Sequence, residues 1–118
     1  MDCIFCKIIK KEIPAEIVAE EEKVIAFKDI NPVAPIHILI VPKKHIPSIN
    51  ETKEEDKELL GEMLIFAKKV AEKYSLTEKG YKLVFNVGKG GGQVIFHLHL
   101  HLIGGWEKEK ERKIPNMP

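Results

Sequence analysis

The segment Phe96-His97-Leu98-His99-Leu100-His101-Leu102-Ile103 limits what this chain can fold into more than any other stretch. In an extended backbone successive side chains point to opposite faces. His97, His99 and His101 therefore share one face, and Leu98, Leu100 and Leu102 share the other. The leucines need a core on their side, so the segment must belong to a sheet covered on that face. The histidines, about 7 Å apart at ~3.3 Å of rise per residue, then point into a cleft or against another element. A lone histidine is ordinarily a satisfied core or surface residue. Three at strict period two, followed by apolar residues, form a chemical array.

Two chemistries suit such an array. Alternate histidines can converge on a metal, at about 2.0–2.1 Å for zinc. Alternatively, one imidazole acts as a nucleophile while its neighbours orient it and handle protons. An unperturbed histidine pKa of about 6.5 leaves much of the residue neutral near pH 7, as a nucleophile requires. No carboxylate general base accompanies the histidines on their face, which favours the nucleophilic reading. The preceding Gly88-Lys89-Gly90-Gly91-Gly92-Gln93 is a candidate anion cradle, since consecutive backbone N–H groups can nest a phosphate. Neither a P-loop nor a dinucleotide fingerprint fits it, because Lys89 is followed by Gly90 and Gln93 stands where a third glycine belongs.

Elsewhere the pattern predicts a short helix over Cys3–Lys11 ended by Pro14, and a hairpin from Glu16–Glu20 and Lys23–Asp29. Strands are expected at His37–Val41, Tyr81–Val87 and Val94–Ile103. Thr52 and Glu55 have the spacing of a capping box. It should open a long helix to about Tyr74, with an apolar stripe of Leu59, Leu60, Met63, Leu64, Ala67, Val70, Ala71 and Tyr74. This is an α+β chain with a mostly antiparallel sheet. Its 118 residues read as a single domain, 1–118.

Composition removes several classes of function. Basic residues number 19 and acidic residues 18, and residues 1–106 balance at 15 each. The one arginine, Arg112, lies in the tail. A coat for nucleic acid needs a basic surface, so none is expected. There is no signal-like N-terminus and no apolar run near the ~20 residues of a membrane span, which points to a cytoplasmic protein without membrane contact. Cys3 and Cys6 are too few for a disulfide framework. Their Cys-x-x-Cys spacing is open to metal binding, redox chemistry or simple burial.

The segment from His97 to Ile103 resembles the His-x-His-x-His-x-x signature of the histidine triad (HIT) family. The likeness extends through Cys3–Ile9, Phe27-Lys28-Asp29-Ile30, Pro35–His45, Asn86-Val87-Gly88, Gly91-Gly92-Gln93 and Gly104-Gly105. Chain length and the Gly-Gly pair are most similar to the Hint branch. The resemblance implies a five-stranded antiparallel sheet with one long and one short helix, paired as a homodimer into a continuous sheet. It implies cleavage or transfer at the α-phosphate of a purine nucleotide, AMP- or GMP-like, through a nucleotidyl-histidine intermediate. His99 would be the nucleophile, His101 would contact the phosphate, and His37 would support them. Asn86, Gln93 and Gly92 would lie on the phosphate side, Asp29 would accept the ribose hydroxyls, and Ile4, Phe5, Ile8, Phe27 and Ile30 would form the purine slot. By the same resemblance, Cys3, Cys6, His45 and His97 would hold a structural zinc, a closed tetrahedral set that leaves His99 free. No organic cofactor is implied.

Two departures stand out. Val94 occupies the place where Hint-like chains often carry Ser or Thr, so a hydroxyl that would help the leaving group is missing. The tail 106–118 diverges, with Trp106 an interface anchor or lid and Glu107–Lys113 a solvated charge run. Three alternatives follow. The chain is a dinucleoside polyphosphate hydrolase, a non-catalytic nucleotide-binding zinc protein, or a zinc hydrolase that uses the histidines as ligands.

Overall fold

A computed structural model describes residues 3–112. Five strands form one antiparallel sheet: β1 (Ile17–Glu20), β2 (Val24–Lys28), β3 (Ile36–Pro42), β4 (Tyr81–Val84) and β5 (Leu100–Gly104). Their order across the sheet is β1-β2-β3-β5-β4, so β4 and β1 are the edges. A six-residue helix, α1 (Ile4–Ile9), precedes the sheet, and α2 (Lys57–Lys73) joins β3 to β4. The expected α+β architecture, with one long and one short helix, is present.

Period-two alternation separates two apolar layers. Val24, Ala26, Ile38, Ile40, Leu98, Leu100 and Leu102 pack with Met63, Phe66, Ala67, Val70 and Ala71 of α2. Ile25, Phe27, Leu39 and Val41 pack on the opposite face with Phe5 and Ile8 of α1. Leu64 is not part of the α2 stripe, being 45% exposed, whereas Phe66 takes a core position that the stripe had omitted.

Three expected elements differ, the strand expected over Tyr81–Val87 ending at Val84. The expected strand Val94–Ile103 is regular only over Leu100–Gly104, so of the three histidines only His101 lies on β5. The register pairs Ile40 with Leu100 and would next set Leu98 opposite Pro42, which has no N–H to give the ladder. On the other flank β4 ends at Val84, opposite His101. Leu98 instead donates its N–H to the Ile46 carbonyl at 2.7 Å. The alternation of faces survives this bend. The start of α2 also differs, because Thr52 Oγ1 donates back to the Ile49 carbonyl and does not cap the helix. A single turn Glu54–Asp56 leads in. Asp56 accepts from the Lys53 N–H at 2.9 Å and from Lys44 Nζ at 2.8 Å.

Candidate active site and metal centre

His97, His99 and His101 serve three different neighbourhoods, and hydrogen bonds fix the proton on each ring. The Val33 N–H donates to His37 Nδ1 at 3.1 Å, so the His37 proton sits on Nε2. That N–H is 2.9 Å from His101 Nδ1, with Asp29 Oδ2 also near at 3.4 Å. His101 Nδ1 is therefore an acceptor, and its proton is presented from Nε2. His99 donates from Nδ1 to the His97 carbonyl at 2.7 Å, which leaves its Nε2 with a free lone pair. His97 donates from Nε2 to the Pro42 carbonyl at 2.8 Å, which leaves Nδ1 as its lone-pair atom.

Burial keeps these rings neutral, because removing a charged imidazolium from water is costly. It pushes His101 down to about 3, helped by the neighbouring His99 and His37. Desolvation likewise lowers His99 and His37, each against the opposing pull of Asp29. His97 is pushed down to about 4 by burial, against its bond to the Pro42 carbonyl.

His99, His101 and His37 line a cavity of about 530 Å³, a size suited to a small ligand. Ile4, Phe5 and Ile8 of α1 form one wall, and Phe27, Asp29 and Ile30 at the end of β2 form another. Asn86, Gly92 and Val94 complete it from the loop before the histidines. The structure thus brings together every residue expected on the nucleotide except Gln93. Sequence reading missed Val33, Leu39 and Ile95, which also line the cavity. Leu39 was legible as the alternate-face residue of β3, but the part of Val33 rests on a backbone N–H that no side-chain pattern reveals.

Gln93 needs correcting. It is buried, its Oε1 accepts from the Gly88 N–H at 2.9 Å, and its Nε2 donates to the Pro47 and Ile95 carbonyls at 2.7 and 3.0 Å. An amide spent in this way holds the loop and has no donor left for a phosphate. Within the glycine loop, three N–H groups are likewise engaged inside the loop. The N–H groups of Gly91 and Gln93 bond to the Gly88 carbonyl, and that of Gly92 to Lys89. Gly92 has φ +87°, a conformation that suits glycine, and borders Asn86, whose Nδ2 donates to the Gly91 carbonyl at 2.9 Å.

A second cluster lies behind Phe5. Cys3 Sγ and Cys6 Sγ are 3.3 and 3.6 Å from His97 Nδ1, Cys6 Sγ is 3.4 Å from His45 Nδ1, and the two ring nitrogens are 3.0 Å apart. A tetrahedral zinc with bonds of about 2.3 Å to sulfur and 2.0–2.1 Å to nitrogen has ligand–ligand edges of roughly 3.3–3.8 Å. The donor set fits: two thiols and two imidazoles, with the His97 lone pair aimed inward by its bond to Pro42. These four residues could hold a metal ion. Asp29, His37 and His101 also converge, but the proton on His37 Nε2 lies between them, so this group reads as a hydrogen-bonded relay. The triad does not chelate one metal, since its three lone pairs point to three places.

The geometry and the comparisons agree. A model of the HIT domain matches residues 10–108. The chain belongs to the HIT domain family. It is 46% identical over 104 residues to the purine nucleoside phosphoramidase of Escherichia coli K12, covering 88% of this chain and 87% of that one. It is 48% identical over 103 residues to Protein HitA of Neisseria gonorrhoeae, covering 87% and 95%. A HIT family hydrolase from Legionella pneumophila superposes with a TM-score of 0.88 at 55% identity, covering 90% of this chain and 95% of that one. In this HIT chain the apolar triad positions build the α2 core while the histidines divide between the cavity and the cysteine cluster.

Proposed function

We propose that this HIT protein is a purine nucleotide hydrolase or transferase of the nucleoside phosphoramidase type. It acts on AMP- or GMP-like substrates through a nucleotidyl-histidine. The observation that carries the reading is the tautomer pair: a free lone pair on His99 Nε2 beside an N–H on His101 Nε2, both in one cavity. His99 supplies the electrons for a new N–P bond while the bond to the leaving group breaks and that group takes its pair. His101 Nε2–H stabilises the charge on the phosphoryl oxygens, with no arginine needed. Every ring nitrogen of the His37–His101 pair is already bonded or protonated, so the leaving group takes its proton from solvent and the later hydrolysis returns one. Water then attacks the nucleotidyl-histidine and restores His99. Asp29 accepts the ribose hydroxyls, and the purine lies among Ile4, Phe5, Ile8, Phe27 and Ile30.

Zinc is the metal we assign to Cys3, Cys6, His45 and His97, in a structural role that pins α1. The same thiols suit a reducing cytoplasm. Among the described residues no helix is long and apolar enough to cross a membrane. The free edge β4, with Leu83 exposed, and the exposed Leu64 and Ile65 of α2 support a homodimer with a continuous sheet. Turnover of a fluorogenic AMP-amide by wild type, compared with His99→Ala, tests the activity. Loss of turnover in the variant is expected, and equal turnover would remove His99 from the reaction. Running diadenosine polyphosphate alongside discriminates the other HIT chemistry.

A further inference from the structure

Helix α1 belongs to both sites at once. Cys3 is its N-cap and accepts from the Cys6 N–H at 3.4 Å, and both sulfurs face His45 and His97. Between them in sequence, Phe5 turns the other way, into the nucleotide cavity. Its ring lies edge-on to Phe27 at 5.4 Å, to His97 at 5.9 Å and to His99 at 5.2 Å between centroids. One ring thus touches a metal-cluster histidine, the nucleophile and the base wall.

Six residues are too few for a helix to persist alone in water. The backbone hydrogen bonds made around its ends stay within residues 3–12. What seats α1 on the sheet includes side-chain burial, mainly Phe5 and Ile8, the four-residue cluster, and the Lys11–Glu20 ion pair just past its end. Two states follow. When α1 is seated, the donors of the cluster are assembled and Ile4, Phe5 and Ile8 wall the cavity. When it is released, both are lost together.

We propose that the two sites are thermodynamically coupled through α1. A divalent metal on Cys3, Cys6, His45 and His97 tightens nucleotide binding, and a nucleotide tightens metal binding by the same factor. The proposal rests on the nucleotide reading above. Both ligands prefer the seated state, so the coupling is positive, and linkage requires it to be reciprocal. It adds to a structural role for the metal by making the base slot conditional on metal occupancy.

The test is a closed cycle on the full chain. AMP is titrated calorimetrically into zinc-loaded and zinc-stripped protein, and zinc affinity is measured by chelator competition with and without saturating AMP. Stripping should weaken AMP binding about tenfold, within the 5–150-fold usual for such coupling, and AMP should tighten zinc by that factor. Amide exchange should rise over Ile4–Ile9 on stripping while β2, β3 and β5 stay protected. Cys3→Ser/Cys6→Ser should bind AMP as the stripped protein does, with no response to zinc. Equal AMP affinity with and without zinc overturns the coupling while leaving the nucleotide reading intact. Failure of the loaded protein to bind AMP or GMP sinks that reading and the coupling with it. Loss of exchange protection throughout the sheet also overturns the proposal, because zinc would then act on the whole fold and not through α1.

Discussion

Each imidazole in the cavity owes its role to one neighbouring hydrogen-bonding group. Val33 N–H sets the tautomer of His37, His37 sets that of His101, and the His97 carbonyl sets that of His99. Removing the proposed nucleophile with His99→Ala should lower kcat by at least about 10³-fold, and His101→Ala by the 10²–10³-fold typical of a lost donor to a developing negative charge. Thermal melts should show both variants folded. Burial holds the folded pKa of His101 at about 3 and that of His37 below its usual 6.5. The folded state thus binds fewer protons than the unfolded one at mildly acid pH. The stability from these rings is complete above about pH 6.5 and is lost as pH falls through that value towards about 3. Melting temperature should therefore be flat from pH 8 to 7 and decline below 6.5. The acid limb of kcat/KM should likewise lie below the ordinary histidine value. At Val94, 85% exposed on the cavity wall, Val94→Ser would restore a hydroxyl. It should raise turnover of P–N substrates about three- to tenfold, the worth of one hydrogen bond of roughly 0.5–1.5 kcal/mol. Residue types at period two made His99 and His101 legible in the sequence. The tautomers were not, since they depend on the local backbone path that turns the Val33 N–H and the His97 carbonyl onto the rings and on the long-range pairing of His37 with His101. Gln93 shows the same limit: an amide beside a glycine loop reads as a ligand group until its bonds to Gly88, Pro47 and Ile95 are seen.

At the level of elements, β5 explains why the triad is both a strand motif and more than a strand. Its ladder stops where Pro42 has no N–H to offer, and the freed segment 97–99 bends so that His97 reaches the cysteines while His99 stays in the cavity. The leucines anchor this arrangement. Leu100 is fully buried, and Leu100→Ala should cost about 2–5 kcal/mol in denaturant unfolding. Where β5 ends, Gly105 has φ +88°, and an added Cβ would lie 2.9 Å from Ile36 Cγ1. Gly105→Ala should therefore destabilise by more than about 1 kcal/mol through strain and crowding together. Element types and most of their spans could be read from alternation and helical period. The strand boundary at Leu100 could not, because it is set by a proline on a partner strand. The start of α2 lies a few residues beyond Thr52 because Thr52 bonds back to the Ile49 carbonyl, and Asp56 at the N-cap position spends its carboxylate on Lys44 and the Lys53 N–H.

Across the whole molecule, the sheet separates the labour. One face carries α2 and the apolar core, and the other carries α1, the nucleotide cavity and the cysteine cluster. This division was legible in outline, because Leu and His alternate in a segment that has to face both layers. The touching of the two sites through Phe5 was not, since it joins residues more than ninety positions apart. The proposed homodimer is tested at the sheet edge: Leu83→Lys on β4 should shift sedimentation from dimer to monomer at micromolar concentration, leaving the far-UV spectrum unchanged. The proposed reaction passes through a covalent bond between His99 Nε2 and the α-phosphorus, so the most direct measurement is intact mass after rapid quench with an AMP-amide. It should show one adenylyl group per chain, mapped to His99 and absent from His99→Ala. Release of AMP with no adduct at any quench time, or an adduct that persists in the variant, would contradict it.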